Sequence, residues 1–322
     1  MKTVMTVKKG AVLAMLLSAT MMSSAHALTV YTAGPGSLAK SLASGYEKKT
    51  GVKVSIFQAT TGKVMARLDA EQANPQADVL ISASWDTAED LHQRGWLLPY
   101  ESANADKVPA NLKSADYVAQ GISALGIVWN SKSGTPEPKE WRDLTEAAFK
   151  DKVTTPDPAL SGASLDLLIG LQNGMGDKAW ALFDDLKKNG MVVSGPNAQA
   201  VTPVMQGAKA AVFGAVDYVS YGNIDQGESL KVIFPASGTV IAPRPMMILK
   251  TTAHADDAKA FVDYVLSPEG QALVAGAWLM PARSDIPAKR PLLNELKILP
   301  TTGDGSSERS AVLSRFNTLF AQ

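Results

Sequence analysis

Apolar residues along this chain recur with two different spacings, which predict two kinds of element. Residues 28–32 and 52–57 are short runs typical of strands. Between them Leu38, Leu42 and Tyr46 lie four residues apart and mark one face of a helix. A second helix, TTGKVMARLDAEQ, and a buried strand, ADVLISAS, follow. This order predicts an α/β protein with a parallel sheet covered by helices.

Two further extended runs, at 121–130 and 240–250, bracket the middle of the chain. We expect them to be crossover strands between two parallel-sheet-based α/β lobes. Lobe one would hold residues 28–122 and 245–322, and lobe two would hold residues 123–244. A cleft between two such lobes is a common place for a small-molecule site.

The first 27 residues have the features of an export signal. Three lysines give a basic start, and residues 11–22 form an apolar run too short to stay as a transmembrane helix. Ala25-His26-Ala27 then has the small-x-small pattern of a cleavage site. We therefore expect residues 1–27 to be a cleaved signal peptide and the mature protein to lie in the periplasm.

The charge of the chain argues against a nucleic-acid-binding protein, and its cysteine content excludes a protein stabilised by disulfides. Removal of the three signal lysines lowers the formal net charge from 0 to −3, and no run of Lys or Arg is present. This argues against nucleic acid as a partner. The chain has no Cys, so its core rather than disulfides must stabilise it. We expect a monomer.

The loop after the first strand contains a possible cofactor motif. Gly34, Gly36 and Ala39 match the dinucleotide fingerprint G-x-G-x-x-A, but Gln58 ends the second strand where an acid should bind the ribose. The chain shows no complete P-loop, no nucleophile–base motif and no His or Cys spacing suited to zinc. We predict no catalytic residues, no metal and no cofactor.

Five loops rich in Gly, Ser, Thr or Asn precede predicted helices. Free N–H groups and the positive end of the helix dipole bind anions at such positions. Helix capping explains any one loop, but five of them on strand ends that meet at one cleft favour an anionic ligand. The predicted ligand-binding residues are Thr32, Gly34, Gly36, Ser37, Thr60, Thr61, Gly62, Ser82 and Ser84 in lobe one, and Ser161, Gly162, Ser164, Asn197, Asp217, Tyr218 and Tyr221 in lobe two.

Several phrases also resemble a known family: LTVYTAGP, YEKKTGVKV, NPQADVLISAS, LGIVWNSKS, ALFDDLKKNG and WLMPARSD. Together they are similar to periplasmic solute-binding proteins of ABC importers, in the group that binds ferric ion, 2-aminoethylphosphonate or sugar phosphates. The resemblance covers nearly all of the chain after the signal. It implies a two-lobed type II binding fold, a non-enzymatic role, and delivery of the ligand to an inner-membrane ABC permease.

The ligand is the part that the resemblance leaves open. Ferric binders of this group supply a His or an acid after the first strand and adjacent tyrosines from lobe two. This chain has Thr32 after its first strand, and Tyr218 and Tyr221 are separated. A small phosphorus-containing organic anion, such as a phosphonate or a phosphate ester, fits the loops better, with Asp217 receiving an amino or hydroxyl group of the ligand. Ferric ion is the alternative ligand, and an exported hydrolase or transferase is the alternative of another class.

Overall fold

The structure, a computed structural model, describes residues 27–300 and 306–321. The expected signal peptide lies outside these residues, except for Ala27. The described strands are β1 (Ala27–Thr32), β2 (Lys53–Gln58), β3 (Val79–Ile81), β4 (Tyr117–Asn130), β5 (Val153–Thr155), β6 (Val192–Val193), β7 (Ala211–Val216), β8 (Leu230–Ile233), β9 (Ile241–Ile248) and β10 (Met280–Pro281). The described helices are α1 (Gly36–Thr50), α2 (Thr61–Ala70), α3 (Trp85–Gln93), α4 (Gly162–Met175), α5 (Asp177–Lys188), α6 (Asn197–Met205), α7 (Asp217–Asp225), α8 (Ala255–Val265), α9 (Pro268–Gly276) and α10 (Ser306–Phe320). None of these helices has the length and apolar character needed to cross a bilayer.

The first sheet region has the order β2-β1-β3-β9-β4. Strand β1 runs parallel to both β2 and β3, as the alternating pattern predicted, and β9 runs antiparallel to β3. Helix α1 buries Leu38, Leu42 and Tyr46. It ends at Gly51, whose φ of 78° is left-handed and whose N–H donates to the Glu47 carbonyl at 2.8 Å. The predicted helix face and its terminating glycine are therefore confirmed.

The second sheet region continues through β7, β5 and β6, and β8 also pairs with β4. Strand β5 is parallel to both β6 and β7, whereas β7 is antiparallel to β4. Helices α4 and α5 cover this sheet, and Leu167, Phe183 and Phe213 belong to its core. Separate apolar clusters thus lie on the two halves of the molecule.

Strands β4 and β9 connect the two halves. Residues 117–124 of β4 pair with β9, and residues 125–130 pair with β7 and β8. These two long strands lie where the extended runs predicted crossovers. The α/β architecture of two lobes joined by two crossover strands is confirmed.

The last helix departs from the expected domain division. Val312 and Phe316 of α10 pack in the core with Phe183 of lobe two, and α10 lies against α4 and α5. The sequence prediction had grouped all of residues 245–322 with lobe one. An amphipathic pattern shows that a helix has an apolar face but does not show which core receives it, so α10 has to be moved to lobe two. The boundaries near 122 and 245 stay a prediction.

Candidate ligand-binding cleft

The loop after β1 is held in a tight turn by side chains of its own lobe. The buried Thr32 hydroxyl accepts the Gly34 N–H at 2.9 Å, and the Gln58 amide donates to the Gly34 carbonyl at 3.2 Å. A Cβ on Gly36 would lie only 2.9 Å from Gln58 Oε1. Gln58 therefore fixes the loop at the place where a dinucleotide site needs an acid. Ser37 follows in the first turn of α1, with its side chain exposed.

The ends of the other lobe-one strands are tied to the same edge. The Ala59 N–H donates to the Thr32 carbonyl at 3.1 Å, and the Ser82 N–H donates to the Pro245 carbonyl at 3.0 Å. The Ser82 hydroxyl is already used, because it bonds Thr87 at 2.8 Å and accepts the Ser84 N–H at 3.2 Å. Ser82 thus shapes the loop and has little hydrogen-bonding capacity left for a ligand.

Four of the predicted lobe-two residues, Ser161, Gly162, Ser164 and Asn197, lie at or beside the start of α4. Ser161 caps this helix by accepting the Ser164 N–H at 3.2 Å, and its hydroxyl donates to Asn197 Oδ1 at 3.1 Å. The Ser164 hydroxyl donates to the Pro156 carbonyl at 3.1 Å. Ser161, Ser164 and Asn197 therefore lie close together, and most of their hydrogen bonds serve the loop itself.

The two lobes touch where these loops meet. A Cβ on Gly162 would lie 2.8 Å from Ser84 Cβ and 3.7 Å from Thr61 Oγ1. The absence of a side chain at Gly162 lets the start of α4 approach the lobe-one loops this closely. Thr60 and Thr61 at the start of α2 are half-buried and Gly62 is exposed. The structure thus has the cleft in a closed arrangement at this point.

Arg244 is the main residue that the sequence analysis did not single out. It is only 2% exposed and lies between the lobes. Its Nη1 donates to the Ala33 carbonyl in lobe one at 3.3 Å, and its Nη2 donates to the Tyr218 hydroxyl in lobe two at 3.2 Å. Its buried Nε has no hydrogen-bond partner among the described residues. None of the partners found for this guanidinium is a carboxylate.

Local backbone irregularity places Arg244 in this position. It stands between Pro243 and Pro245 in β9, and the β4–β9 register shifts between Ala119 and Gly121, opposite this segment. Proline cannot donate to a regular ladder, and bulges redirect side chains. One charged residue within the apolar run VIAPRPMMILK was the signal in the sequence that could have pointed to Arg244.

Asp217, which the sequence analysis predicted to receive a group of the ligand, makes its contacts inside the protein. It is fully buried and forms an ion pair with Arg290, and neither side chain is exposed. Its carboxylate also accepts the N–H groups of Ala124 at 2.8 Å and Tyr218 at 2.7 Å. Burial raises the pKa of Asp217, and the Arg290 guanidinium opposes that shift. With its oxygens committed inside the protein, Asp217 is not among the ligand contacts that we propose.

The two tyrosines lie in different surroundings. Tyr218 packs under the Arg244 guanidinium, whose carbon lies 5.1 Å from the ring centre. Tyr221 stacks on Trp278 with ring centres 6.0 Å apart, and the Arg290 guanidinium carbon lies over the Tyr221 ring, 5.2 Å from its centre. Burial raises the pKa of Tyr221 to about 12. Tyr221 is therefore held as a neutral aromatic group.

A pocket of about 330 Å³ opens beside the contact between the lobes. Thr61, Gly62, Ser84 and Gly162 line it together with Arg309 of α10. Arg309 bonds Asp86 of α3 and, at 2.7 Å, Asp166 of α4. Sequence reasoning missed this cluster because its members are far apart in the chain and none belongs to a motif.

The fold and the cleft define a two-lobed solute-binding protein, and comparison with known proteins gives the same class. Residues 74–303 match the family of bacterial extracellular solute-binding proteins. The match spans more than half of the 322 residues, and the chain belongs to this family. Its members are substrate-binding proteins of transport systems, and the chain is a solute-binding protein of the ABC importer type, as its sequence phrases indicated.

Individual relatives differ in ligand. The chain is 26% identical over 254 residues to a putative 2-aminoethylphosphonate-binding periplasmic protein of Salmonella typhimurium, covering 75% of this chain and 73% of that one. It superposes on the periplasmic binding protein AfuA from Actinobacillus pleuropneumoniae, solved with exogenous fructose-6-phosphate, with a TM-score of 0.82, 24% identity and coverage of 91% and 98%. Iron-bound HitA from Pseudomonas aeruginosa gives a TM-score of 0.79, 21% identity and coverage of 90% and 99%. At these identities the two structures establish the fold alone.

Proposed function

We propose that this protein captures a small organophosphorus anion, a phosphonate or a phosphate ester, in the periplasm and delivers it to an inner-membrane ABC permease. The cleft between the lobes is the binding site, and the protein performs no chemistry on the ligand. Export rests on the signal features of residues 1–27. The relative named for 2-aminoethylphosphonate is a periplasmic protein, which supports both the location and the class of ligand.

The observation that carries this proposal is the burial of Arg244 without a carboxylate partner among the described residues. A guanidinium stays protonated under all physiological conditions. Burying a cation is costly unless an anion and hydrogen bonds compensate. Arg244 has a carbonyl and a phenol as partners and a free Nε, so the described residues neutralise its charge only in part. An anionic ligand in the cleft supplies the missing charge, and phosphonate oxygens match the planar donor array of arginine.

Neutral donors on both lobes complete the proposed site. Thr61 in lobe one faces the start of α4 in lobe two, across Gly162. Backbone N–H groups in the first turn of a helix add partial positive charge there. We infer that the phosphorus oxygens lie between Arg244 and these donors.

The alternative ligand, ferric ion, fits this cleft poorly. Fe(III) needs anionic oxygen ligands, and a tyrosine must lose its proton to provide one. Tyr221 stacks on Trp278 and lies beneath the Arg290 guanidinium, a cation that repels a metal ion. The Tyr218 hydroxyl lies 3.2 Å from the Arg244 guanidinium, which repels a metal cation. In the described part of the chain, no group of three or more His, Asp or Glu residues is placed to hold a metal.

Calorimetric titration of the mature protein tests the proposal. The probes are 2-aminoethylphosphonate, fructose 6-phosphate, inorganic phosphate, ferric citrate and glucose. We expect tight binding of at least one organophosphorus anion and none of glucose. Arg244→Gln should weaken that binding by on the order of 2–5 kcal/mol, or roughly thirtyfold or more, because a buried charge pair is lost.

Arg142→Gln is the matched control, since Arg142 is an exposed arginine of lobe two that pairs with Asp185. It should bind the same probe as wild type does. Binding of ferric citrate with a tyrosinate charge-transfer colour, and of no phosphorus compound, would overturn the proposed function.

A further inference from the structure

One cluster of charges joins the lobes at the front of the cleft, away from the crossover strands. Arg309 forms ion pairs with Asp86 and with Asp166, the latter at 2.7 Å. It also donates to the Ser84 hydroxyl at 3.2 Å, and that hydroxyl donates to Asp166 at 3.4 Å. Four side chains thus form one hydrogen-bonded group.

The members of this group belong to different lobes. Asp166 lies on α4, and Arg309 lies on α10, which Val312 and Phe316 anchor in the core of lobe two. Asp86 is the second residue of α3, whose residues Ala88 and Leu91 pack in a lobe-one core. Opening of the cleft must separate Arg309 from Asp86 and Ser84, whereas Arg309 and Asp166 move together. Asp166 therefore orients Arg309 within lobe two. Arg309 contacts Asp86 and Ser84 only when the lobes are closed.

We propose that Arg309 is an affinity-setting clasp that stabilises the closed cleft without contacting the ligand. This inference rests on the proposed function only in that the cleft binds a ligand. Asp166 orients the guanidinium from lobe two, and Asp86 receives it from lobe one. The clasp lowers the dissociation rate of the ligand, because the ligand leaves only when the lobes separate.

The partial exposure of the cluster suits a contact that breaks and re-forms. The side chains of Arg309, Asp86 and Asp166 are 17%, 34% and 10% exposed. Water can therefore reach both Arg309 and Asp86 when the cleft opens, so their separation leaves neither charge buried and dry. A ligand's apparent affinity scales with the fraction of molecules in the closed form. Removal of the clasp therefore weakens binding even though every ligand contact remains.

The test compares Arg309→Gln with Arg315→Gln. Arg315 lies on the same helix but stacks on Trp180 of lobe two at 4.0 Å, so it controls for the loss of an arginine from α10. Because the natural chain lacks Cys, Lys48→Cys in lobe one and Lys178→Cys in lobe two can carry a pair of spin labels or fluorophores. The probe is 2-aminoethylphosphonate, or whichever anion from the titration panel binds best.

We expect Arg309→Gln to raise the dissociation rate constant about tenfold and to leave the association rate constant nearly unchanged, since interface changes act mainly on dissociation. At half-saturating probe the label distances should shift toward the open form. Asp86→Asn should reproduce these effects, and Arg309→Lys should restore part of the affinity. Arg309→Gln also leaves the buried Asp166 carboxylate without its counter-ion, so its ligand-free stability should fall. Asp86→Asn keeps the Arg309–Asp166 pair, so it separates the loss of the clasp from that loss of stability.

Wild-type dissociation kinetics in both Arg309→Gln and Asp86→Asn would overturn the clasp while leaving the proposed function intact. If the wild-type protein binds no phosphorus anion but binds another probe, the proposed function fails. The same variants then test the clasp with that other probe. If no probe binds, the label distances of the ligand-free proteins decide, because a clasp must shift them toward the open form in Arg309→Gln.

Discussion

Two buried arginines, Arg290 and Arg244, lie between the lobes, and they differ in what neutralises them. Arg290 is paired with Asp217, and two backbone N–H groups complete the hydrogen bonding of that carboxylate. Arg244 has no carboxylate partner among the described residues and keeps a free Nε. As whole residues, Arg290 is 7% exposed and Arg244 is 2% exposed, so both are almost fully buried.

This contrast separates a structural charge from a binding charge. The Asp217–Arg290 pair also engages Ala124, which lies in β4 where the strand passes from one lobe to the other. Both charges of this pair are neutralised within the protein, so we assign the pair a structural role in the crossover region. Under the proposed function, the ligand neutralises the charge of Arg244.

The largest effect is expected for the structural pair. Arg290→Gln leaves the Asp217 carboxylate buried without a counter-ion, and breaking a buried pair in this way costs about 3–5 kcal/mol of the free energy of unfolding. Urea titration measures the loss. The exposed Arg142–Asp185 pair gives the control, because Arg142→Gln should cost less than about 1 kcal/mol.

If Arg290→Gln fails to fold at all, Arg290→Lys keeps the charge and should show a smaller loss in the same titration. Equal urea midpoints for Arg290→Gln and Arg142→Gln would show that the buried pair does not stabilise the crossover region.

A second prediction concerns pH and the third interlobe arginine, Arg309. Burial raises the pKa of Asp166 to about 6, although Arg309 lowers it, and Asp86 adds to the rise. The folded protein thus binds this proton more tightly than the unfolded chain, whose Asp titrates near 3.9. The contribution of Asp166 to stability is therefore present below about pH 4 and is lost as the pH rises toward about 6, by up to about 3 kcal/mol.

Unfolding free energies of wild type and Asp166→Asn between pH 4 and pH 7 test this. The free energy of unfolding of wild type, measured relative to that of Asp166→Asn, should fall as the pH rises from 4 to 7. The other carboxylates titrate in both proteins, so their contributions cancel in this comparison. A difference that stays constant with pH would contradict the raised pKa.

Most of the fold could be predicted from the sequence, because strand and helix periods are local properties. The face of α1 and its end at Gly51 followed from residues a few positions apart. The placement of α10 could not be predicted, since an amphipathic helix fits either core. The signal-peptide prediction falls outside the described residues and stays a prediction.

The site was only partly predictable, for a physical reason. Gly, Ser and Thr at helix starts indicate free N–H groups, and the structure does bring Thr61, Ser84 and Gly162 together. Whether a charged side chain serves the ligand or the fold depends on its partner, and the partner is distant in sequence. Asp217 and Arg290 are 73 residues apart. The pairing of Asp217 with Arg290 was therefore not visible in the sequence, and Arg244 was not singled out.

The neutral donors of the proposed site should contribute less to affinity than Arg244 does. The Thr61 hydroxyl has no hydrogen bond to any other described residue, so it is available to an anion. Thr61→Ala should remove a charge-assisted hydrogen bond worth about 1.5–3 kcal/mol, or roughly ten- to a hundredfold in affinity. The predicted contact of Ser37, which is exposed, is tested in the same way by Ser37→Ala.

Ser164→Ala is the matched control, because its hydroxyl already bonds the Pro156 carbonyl. This variant should lose stability rather than affinity, and calorimetry together with urea titration distinguishes the two. Wild-type affinity in both Thr61→Ala and Ser37→Ala would mean that these loops only cap their helices.

The smallest expected effect is the stability of ligand-free Arg244→Gln, and it separates the two arginines most directly. Replacing Arg244 removes two hydrogen bonds but also removes a buried charge that lacks a carboxylate. These opposing terms should leave the free energy of unfolding within about 1 kcal/mol of wild type. Adding the best-binding anion at a hundred times its wild-type dissociation constant should stabilise wild type by about 2.7 kcal/mol, because the ligand binds only the folded form. The same concentration should stabilise Arg244→Gln far less. A loss of several kcal/mol in the ligand-free variant, with the ligand-induced gain retained, would place Arg244 with Arg290 as a structural charge.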